Sequence, residues 1–215
     1  MRQLLSSTLA LAALCSTLVF AQQRGANPPA PSAQPGPPAQ AGPRGGGRGR
    51  GGIQVMTLMA TAWPDGGQIS AKYTQAGDDM SPALAWSNAP QGVASFALIV
   101  HDLDAPIGTG SDDILHWMIW NIPADATGLR EGIPRGAELP DRSRQISATG
   151  PNYRGPGAPA SGPAHHYVFE LFALDTMIDV PAVGAPPPAT RAAVVAAMAG
   201  HIRGKASYVG LFKRH

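Results

Sequence analysis

A single cysteine, Cys15, stands in the whole 215-residue chain. It lies in an apolar N-terminal run, so removal of that run leaves no thiol, no disulfide and no cysteine metal ligand. Cysteine catalysis is excluded for the remainder. Export usually brings disulfides, and without them the folded part must be held by its own core. Charge is scarce too, at 14% of residues, and no acid occurs before residue 53. Five of the 16 Lys and Arg residues precede that point and none of the 14 acids does, which leaves 11 against 14 and a formal charge of −3 on residues 53–215. Catalytic signatures are missing as well. There is no Gly-x-Ser-x-Gly elbow, no P-loop, no dinucleotide fingerprint, and no short His-x-His or Glu-x-x-His pair.

What is present begins with a leader. Arg2 opens a nearly uncharged apolar run that ends at Leu18-Val19-Phe20 and Ala21. A basic start, a short apolar centre and small residues at its end describe a secretory signal peptide, residues 1–21, cut after Ala21. The run is short for a membrane span and lacks a basic stop after it. Leu14 is too bulky, directly before Cys15, to favour lipoprotein processing. The expected location is periplasmic or secreted.

Residues 22–52 are Pro, Ala, Gln and Gly with four arginines, Arg24, Arg44, Arg48 and Arg50. Such a segment has almost nothing large and apolar to bury, and reads as a disordered linker. Its charge favours weak attraction to anionic surfaces. No nucleic-acid partner is expected of an exported spacer.

Residues 53–215 are long enough for one well-buried domain. Strand-forming runs occur at 53–59, 95–101, 116–121, 166–174 and 206–212, separated by Gly/Pro/Asn turn clusters. One helix is expected from Arg191 to about His201, with Thr190 as its cap. Many strands and one late helix predict a mainly β protein, an antiparallel β-sandwich.

Five segments then recur in a recognisable order: Ser81–Trp86, Asp102–Pro106, His116–Pro123, Gly150–Gly155, and His165–Phe169 running on to Asp175. Together they resemble the phosphatidylethanolamine-binding protein (PEBP) family, also called Raf kinase inhibitor-like proteins, and most of all its bacterial branch. The resemblance covers roughly residues 65 to 213. It implies a two-sheet sandwich with an anion pocket at one end. By motif, Asp102 and Asp104 match the two acids of the family's Asp-Pro-Asp-Ala-Pro block, and Pro106 its wall proline. His116 matches the pocket histidine of the second block, and His165 and Tyr167 belong to the third. Leu103 stands where the family has proline, His166 where it commonly has arginine, and the loop from Gly155 to Gly162 lacks the usual Pro-Pro pair.

Alternation along a strand puts residues i and i+2 on one face, so Asp102 and Asp104 are expected to face together if extended geometry reaches that far. An anion would then be held by His116, His165, the Tyr167 hydroxyl and backbone amides of the loop that begins at Gly155. The function expected is non-catalytic binding of a small phosphorylated or anionic ligand, with no cofactor and no metal. Inhibition of a peptidase or kinase through the pocket rim is the alternative, a peptidase being the better partner for an exported protein. A metal-dependent or His/Asp phosphoesterase is the third. His101, one residue from Asp102, is expected on the opposite face as a structural or exposed residue. The four tryptophans are expected in the core and at its rim.

Overall fold

The structure, a computed structural model, describes residues 52–109 and 112–215. The expected signal peptide and all but the last residue of the linker lie outside the described residues. The chain forms β1 (Gln54–Val55), β2 (Thr57–Ala60), β3 (Gly67–Gln68), β4 (Leu84–Ser87), β5 (Ser95–Pro106), β6 (Asp113–Pro123), β7 (Gly128–Leu129), β8 (Arg144–Ile146), β9 (His165–Leu174), α1 (Pro187–Met198) and β10 (Ile202–Phe212). The larger sheet runs β1-β10-β9-β5-β6-β8 with β3 also on β10, and the smaller runs β2-β4-β7. Neighbouring strands pair antiparallel except β1 and β3, which lie parallel to β10.

The expected strand over 53–59 is two strands in different sheets. Met56 is buried between them and donates its N–H to the carbonyl of Lys205, so the chain turns from one sheet to the other there. The helix also differs from expectation. It starts at Pro187, and Thr190 is not its cap. Proline's fixed φ and missing N–H suit a first helical turn, so the Pro186-Pro187-Pro188 run begins the helix. Thr190 is inside it, buried with Val194 and Met198 on the face that meets the sheet.

The central strands are apolar throughout because both of their faces are covered. Along β5, Phe96, Leu98 and Val100 point between the sheets, while Ala97 and Ile99 point toward α1. Trp63, Trp86 and Trp117 belong to the inter-sheet core and Trp120 to the helix-side core. The same alternation sends Asp102 inward and His101 to the helix side. On β10, Gly204, Ala206, Tyr208, Gly210 and Phe212 form the buried phase. Gly210 is required for close approach: a Cβ there would lie 2.4 Å from Ile69 Cγ1.

His101 is buried in a charged cluster rather than exposed. Its Nδ1 meets Asp113, its Nε2 lies 3.3 Å from Glu170, and Arg191 of α1 reaches Asp113 at 2.8 Å. Lys205 completes the set at 2.7 Å from Glu170. Burial opposes the charge of His101, but Glu170 and Asp113 outweigh it and raise its pKa. Glu170 is lowered to about 2, by His101 first and then by Lys205 against the opposing effect of burial.

The signs fix the pH response. A depressed carboxylate contributes stability that is lost as pH falls below about 4.5 toward 2, and a raised histidine contributes stability that is lost as pH rises through its folded pKa. Urea unfolding should therefore show stability highest between about pH 5 and 6.5 from this cluster. Glu170→Gln should flatten the acid limb, removing about 2 kcal/mol of it. An unchanged acid limb would exclude Glu170 as its source.

Candidate ligand site

Three neighbouring strands, in the order β9-β5-β6, end together at one edge of the inter-sheet core. Asp102 of β5 stands opposite Tyr167 of β9 and Ile114 of β6. His165 lies two residues before Tyr167, on the same face of β9. His116 arrives by a different device. Val100 pairs with Trp117 and His101 with Leu115, so His116 is an extra residue with no partner on β5. Such a bulge re-aims a side chain. It turns both His116 and Trp117 inward, which is why the run from 116 alternates poorly.

The cavity they border measures about 140 Å³ and is lined by Asp102, His116 and His165 with Gln75, Ala105, Ile114, Arg154, Gly157, Ala158 and Pro159. A larger hollow, about 430 Å³, lies alongside α1 from Pro187 to Val195, against the start of β6, and is lined chiefly by apolar groups. Asp102, His116, Arg154 and His165 converge on the smaller one, whereas Asp112, Asp113 and Arg191 border the larger.

Inside it the hydrogen bonds are directional. His116 is buried, and its Nδ1 lies 2.8 Å from the Arg154 carbonyl and 3.0 Å from the Gly155 carbonyl. Carbonyls only accept, so Nδ1 carries the proton and Nε2 faces Asp102 Oδ2, 4.0 Å away. Burial lowers the His116 pKa, and the Arg154 guanidinium lowers it further, against the opposing effects of the Arg154 carbonyl and Asp102. His116 is thus a neutral imidazole near pH 7. His165 Nδ1 sits 3.1 and 2.9 Å from the two oxygens of Asp102 and donates to that carboxylate.

Tyr167 is fully buried, packed edge-on to the His116 ring with centroids 5.0 Å apart. Burial raises its pKa and the Asp102 carboxylate adds to the shift. Its hydroxyl oxygen accepts the N–H groups of Gly157 and Ala158 at 3.2 and 3.0 Å. This corrects one expectation. The loop amides at 157 and 158 are engaged by a tyrosine and are not free to hold an anion, because a buried phenol must find partners.

Asp104 is a second correction. Pairing passes from Asp102↔Ile114 to Pro106↔Asp113, so Leu103, Asp104 and Ala105 leave the ladder. The amide of Asp104 folds back onto Asp102 Oδ1 at 3.0 Å, a local turn that aspartate side chains favour. Asp104 then faces outward, where the His166 amide and imidazole bind it at 2.6 and 2.8 Å and hold its carboxyl below the usual range. Extended geometry does not hold to residue 104, and the two carboxylates do not share the cavity. Pro106 is exposed and also outside the lining.

Gly155 acts on the site without lining it. Its carbonyl accepts from His116 and from Gln75 Nε2 at 2.7 Å, and its N–H donates to Asp79 Oδ1 at 2.6 Å. A Cβ at 155 would fall 2.4 Å from the Tyr73 carbonyl oxygen, so only glycine fits.

Arg154 was not singled out from the sequence. It lines the cavity, whereas the arginine ion pairs among the described residues are made by Arg144, Arg191 and Arg203. Its signal was the position next to Gly155, in a segment already noted. Gln75 carried no such signal, being in an unremarkable turn. Among the described residues no three His, Cys, Asp or Glu side chains cluster as metal ligands would.

Comparison with known proteins agrees with this arrangement of strands. Residues 60–213 match the family described as phosphatidylethanolamine-binding protein. A UPF0098 protein of Methanothermobacter thermautotrophicus is 43% identical over 161 residues, covering 74% of this chain and 99% of its own. A UPF0098 protein of Aquifex aeolicus is 36% identical over 164 residues, covering 76% and 91%. Among solved structures, Escherichia coli YbcL, described as a new member of the mammalian PEBP family, superposes with a TM-score of 0.64 at 26% identity, covering 74% of this chain and 99% of its own. A putative PEBP homologue from Chlamydia trachomatis gives 0.62 at 28% identity, covering 75% and 99%. The chain belongs to the phosphatidylethanolamine-binding protein family.

Proposed function

We propose that this domain is a non-catalytic binding protein whose cavity at Asp102, His116 and His165 takes the phosphate group of a small ester. The observation that carries the reading is the convergence of two imidazoles, one carboxylate and Arg154 on a single cavity of about 140 Å³, with the Arg154 guanidinium close enough to lower the His116 pKa. That volume suits a phosphate group and leaves the rest of the ligand at the mouth. Arg154 supplies the positive charge, and the imidazole nitrogens supply directional partners. The lining holds no serine, threonine or cysteine among the described residues, and the Tyr167 hydroxyl is enclosed. This favours binding over covalent catalysis. Export, inferred from the apolar leader, would place the ligand outside the cytoplasm.

The test is titration calorimetry with phenyl phosphate. Wild-type protein should bind saturably, and His116→Ala and His165→Ala should each weaken binding by about tenfold or more. Binding that is equal in all three proteins would move the site elsewhere.

A further inference from the structure

The hollow beside α1 has about three times the volume of the cavity at Asp102, 430 against 140 Å³. That is the size range of small-molecule sites. The buried Leu115 of β6 borders it from below, and α1 borders it through Pro188, Ala192 and Val195. Ile107 and Ala148 complete the apolar lining, and hydrogen bonds fix both. The Ile107 amide donates to the Asp112 carbonyl at 2.7 Å, and the Ala148 amide to the Leu115 carbonyl at 3.0 Å. Ile107 and Val195 are nevertheless about half exposed, at 51 and 47%. Large apolar side chains left in water around a concave apolar surface mark a contact site.

The charges at this hollow answer one another. Arg191 Nη1 donates to the Asp113 carbonyl at 3.0 Å and lies 2.8 Å from Asp113 Oδ1, while His101 Nδ1 meets Oδ2. Burial opposes the charge of His101, and Glu170 and Asp113 outweigh it. With the exposed Asp112, two acids stand against two cations, and the formal charges cancel. Donors are scarcer. Pro187 and Pro188 have no N–H, and the amides of Ile107 and Ala148 are engaged. Arg191 Nε and Nη2 have no hydrogen-bond partner among the described residues, so the donors left in the lining are theirs.

We infer that this hollow is a second ligand site, for an uncharged, largely apolar molecule that carries one carbonyl-type acceptor. The apolar body covers Ile107, Leu115 and Val195, and the acceptor oxygen takes an N–H of Arg191. A carboxylate would reach the same N–H groups but would meet Asp112 and Asp113. An ammonium would meet Arg191 and His101. Either ion also gives up more hydration than a carbonyl does on entering an apolar hollow. The inference is independent of the phosphate-ester reading, because Asp102, His116 and His165 do not border this hollow.

Amide NMR on the wild-type protein at about pH 6, where His101 carries its charge, tests it with three probes of similar shape: benzylacetone, hydrocinnamate and phenylpropylamine. The ketone should give saturable shifts at Leu115, Ala148, Ala192 and Val195 and leave the His116 and His165 rings unchanged. The two ions should bind at least about tenfold more weakly. Ala192 is exposed on α1, so Ala192→Phe should fold, fill the hollow and weaken ketone binding by about tenfold or more. Arg191→Met removes the donors and should weaken it by about three- to tenfold. Hydrocinnamate binding as tightly as the ketone would make Arg191 an anion site and overturn the inference. Phenylpropylamine doing so would assign the contact to Asp112 and overturn it equally. Ketone affinity unchanged in folded Ala192→Phe, or no saturable shift up to the solubility of the ketone, would remove the hollow as a site.

Discussion

Gln145→Leu should lower the stability of the domain by about 3–5 kcal/mol, more than any single exposed substitution. The side chain is fully buried and works at both ends. Its Oε1 accepts from Trp117 Nε1 at 2.8 Å, and its Nε2 donates to the carbonyls of Pro134 and Gly136 at 2.7 and 3.0 Å. Leucine fills a similar volume but leaves one indole N–H and two carbonyls without partners. Each buried orphan costs about 1–3 kcal/mol. For a domain of this size the melting temperature should drop by roughly 10 °C.

The effect should reach the site, because Trp117 directly follows the bulged His116 and packs edge-on to Tyr153, ring centroids 5.5 Å apart. Tyr153 in turn donates its hydroxyl proton to the Tyr73 carbonyl at 2.8 Å. Thermal unfolding followed by circular dichroism checks the first part, and phenyl phosphate titration the second. A loss below about 1 kcal/mol would mean that the three groups find water or new partners.

The second large effect is expected from Tyr167→Phe. The ring remains, so packing on His116 is retained, but the amides of Gly157 and Ala158 lose their acceptor. Stability should fall by about 2–4 kcal/mol, less if water enters to replace the hydroxyl. Because those amides tie the 155–158 loop to β9, amide hydrogen exchange at 157 and 158 should accelerate by a larger factor than exchange in β5 or β6. Uniform acceleration across the sheet would indicate simple global destabilisation. No change at 157 and 158 would show that the hydroxyl does not hold the loop.

The sandwich was legible because burial on one or both faces leaves a period-two or continuous apolar record, and β5, β9 and β10 carry it plainly. Met56 was not legible as a corner. A chain that changes sheets without a turn residue looks like one uninterrupted strand. The helix start was misplaced because Thr190 has the chemistry of a cap, while the prolines that begin the helix also read as loop.

At the site, the ordered motifs pointed to Asp102, His116, His165 and Tyr167, and the fold brings these four together. Asp104 followed the same motif but not the same path, since a three-residue excursion depends on hydrogen bonds that alternation cannot foresee. The direction of those bonds was equally hidden. That His116 donates through Nδ1 and Tyr167 accepts through its hydroxyl follows only from which carbonyls and amides face them.

The most direct test of the binding claim is a histidine-detected NMR titration of the wild-type protein with phenyl phosphate at pH 6.5. The ring signals of His116 and His165 should shift and saturate together, with those of the exposed His166 and His201 little changed. Shifts confined to His166 and His201, or none that saturate, would contradict a ligand site at Asp102, His116 and His165.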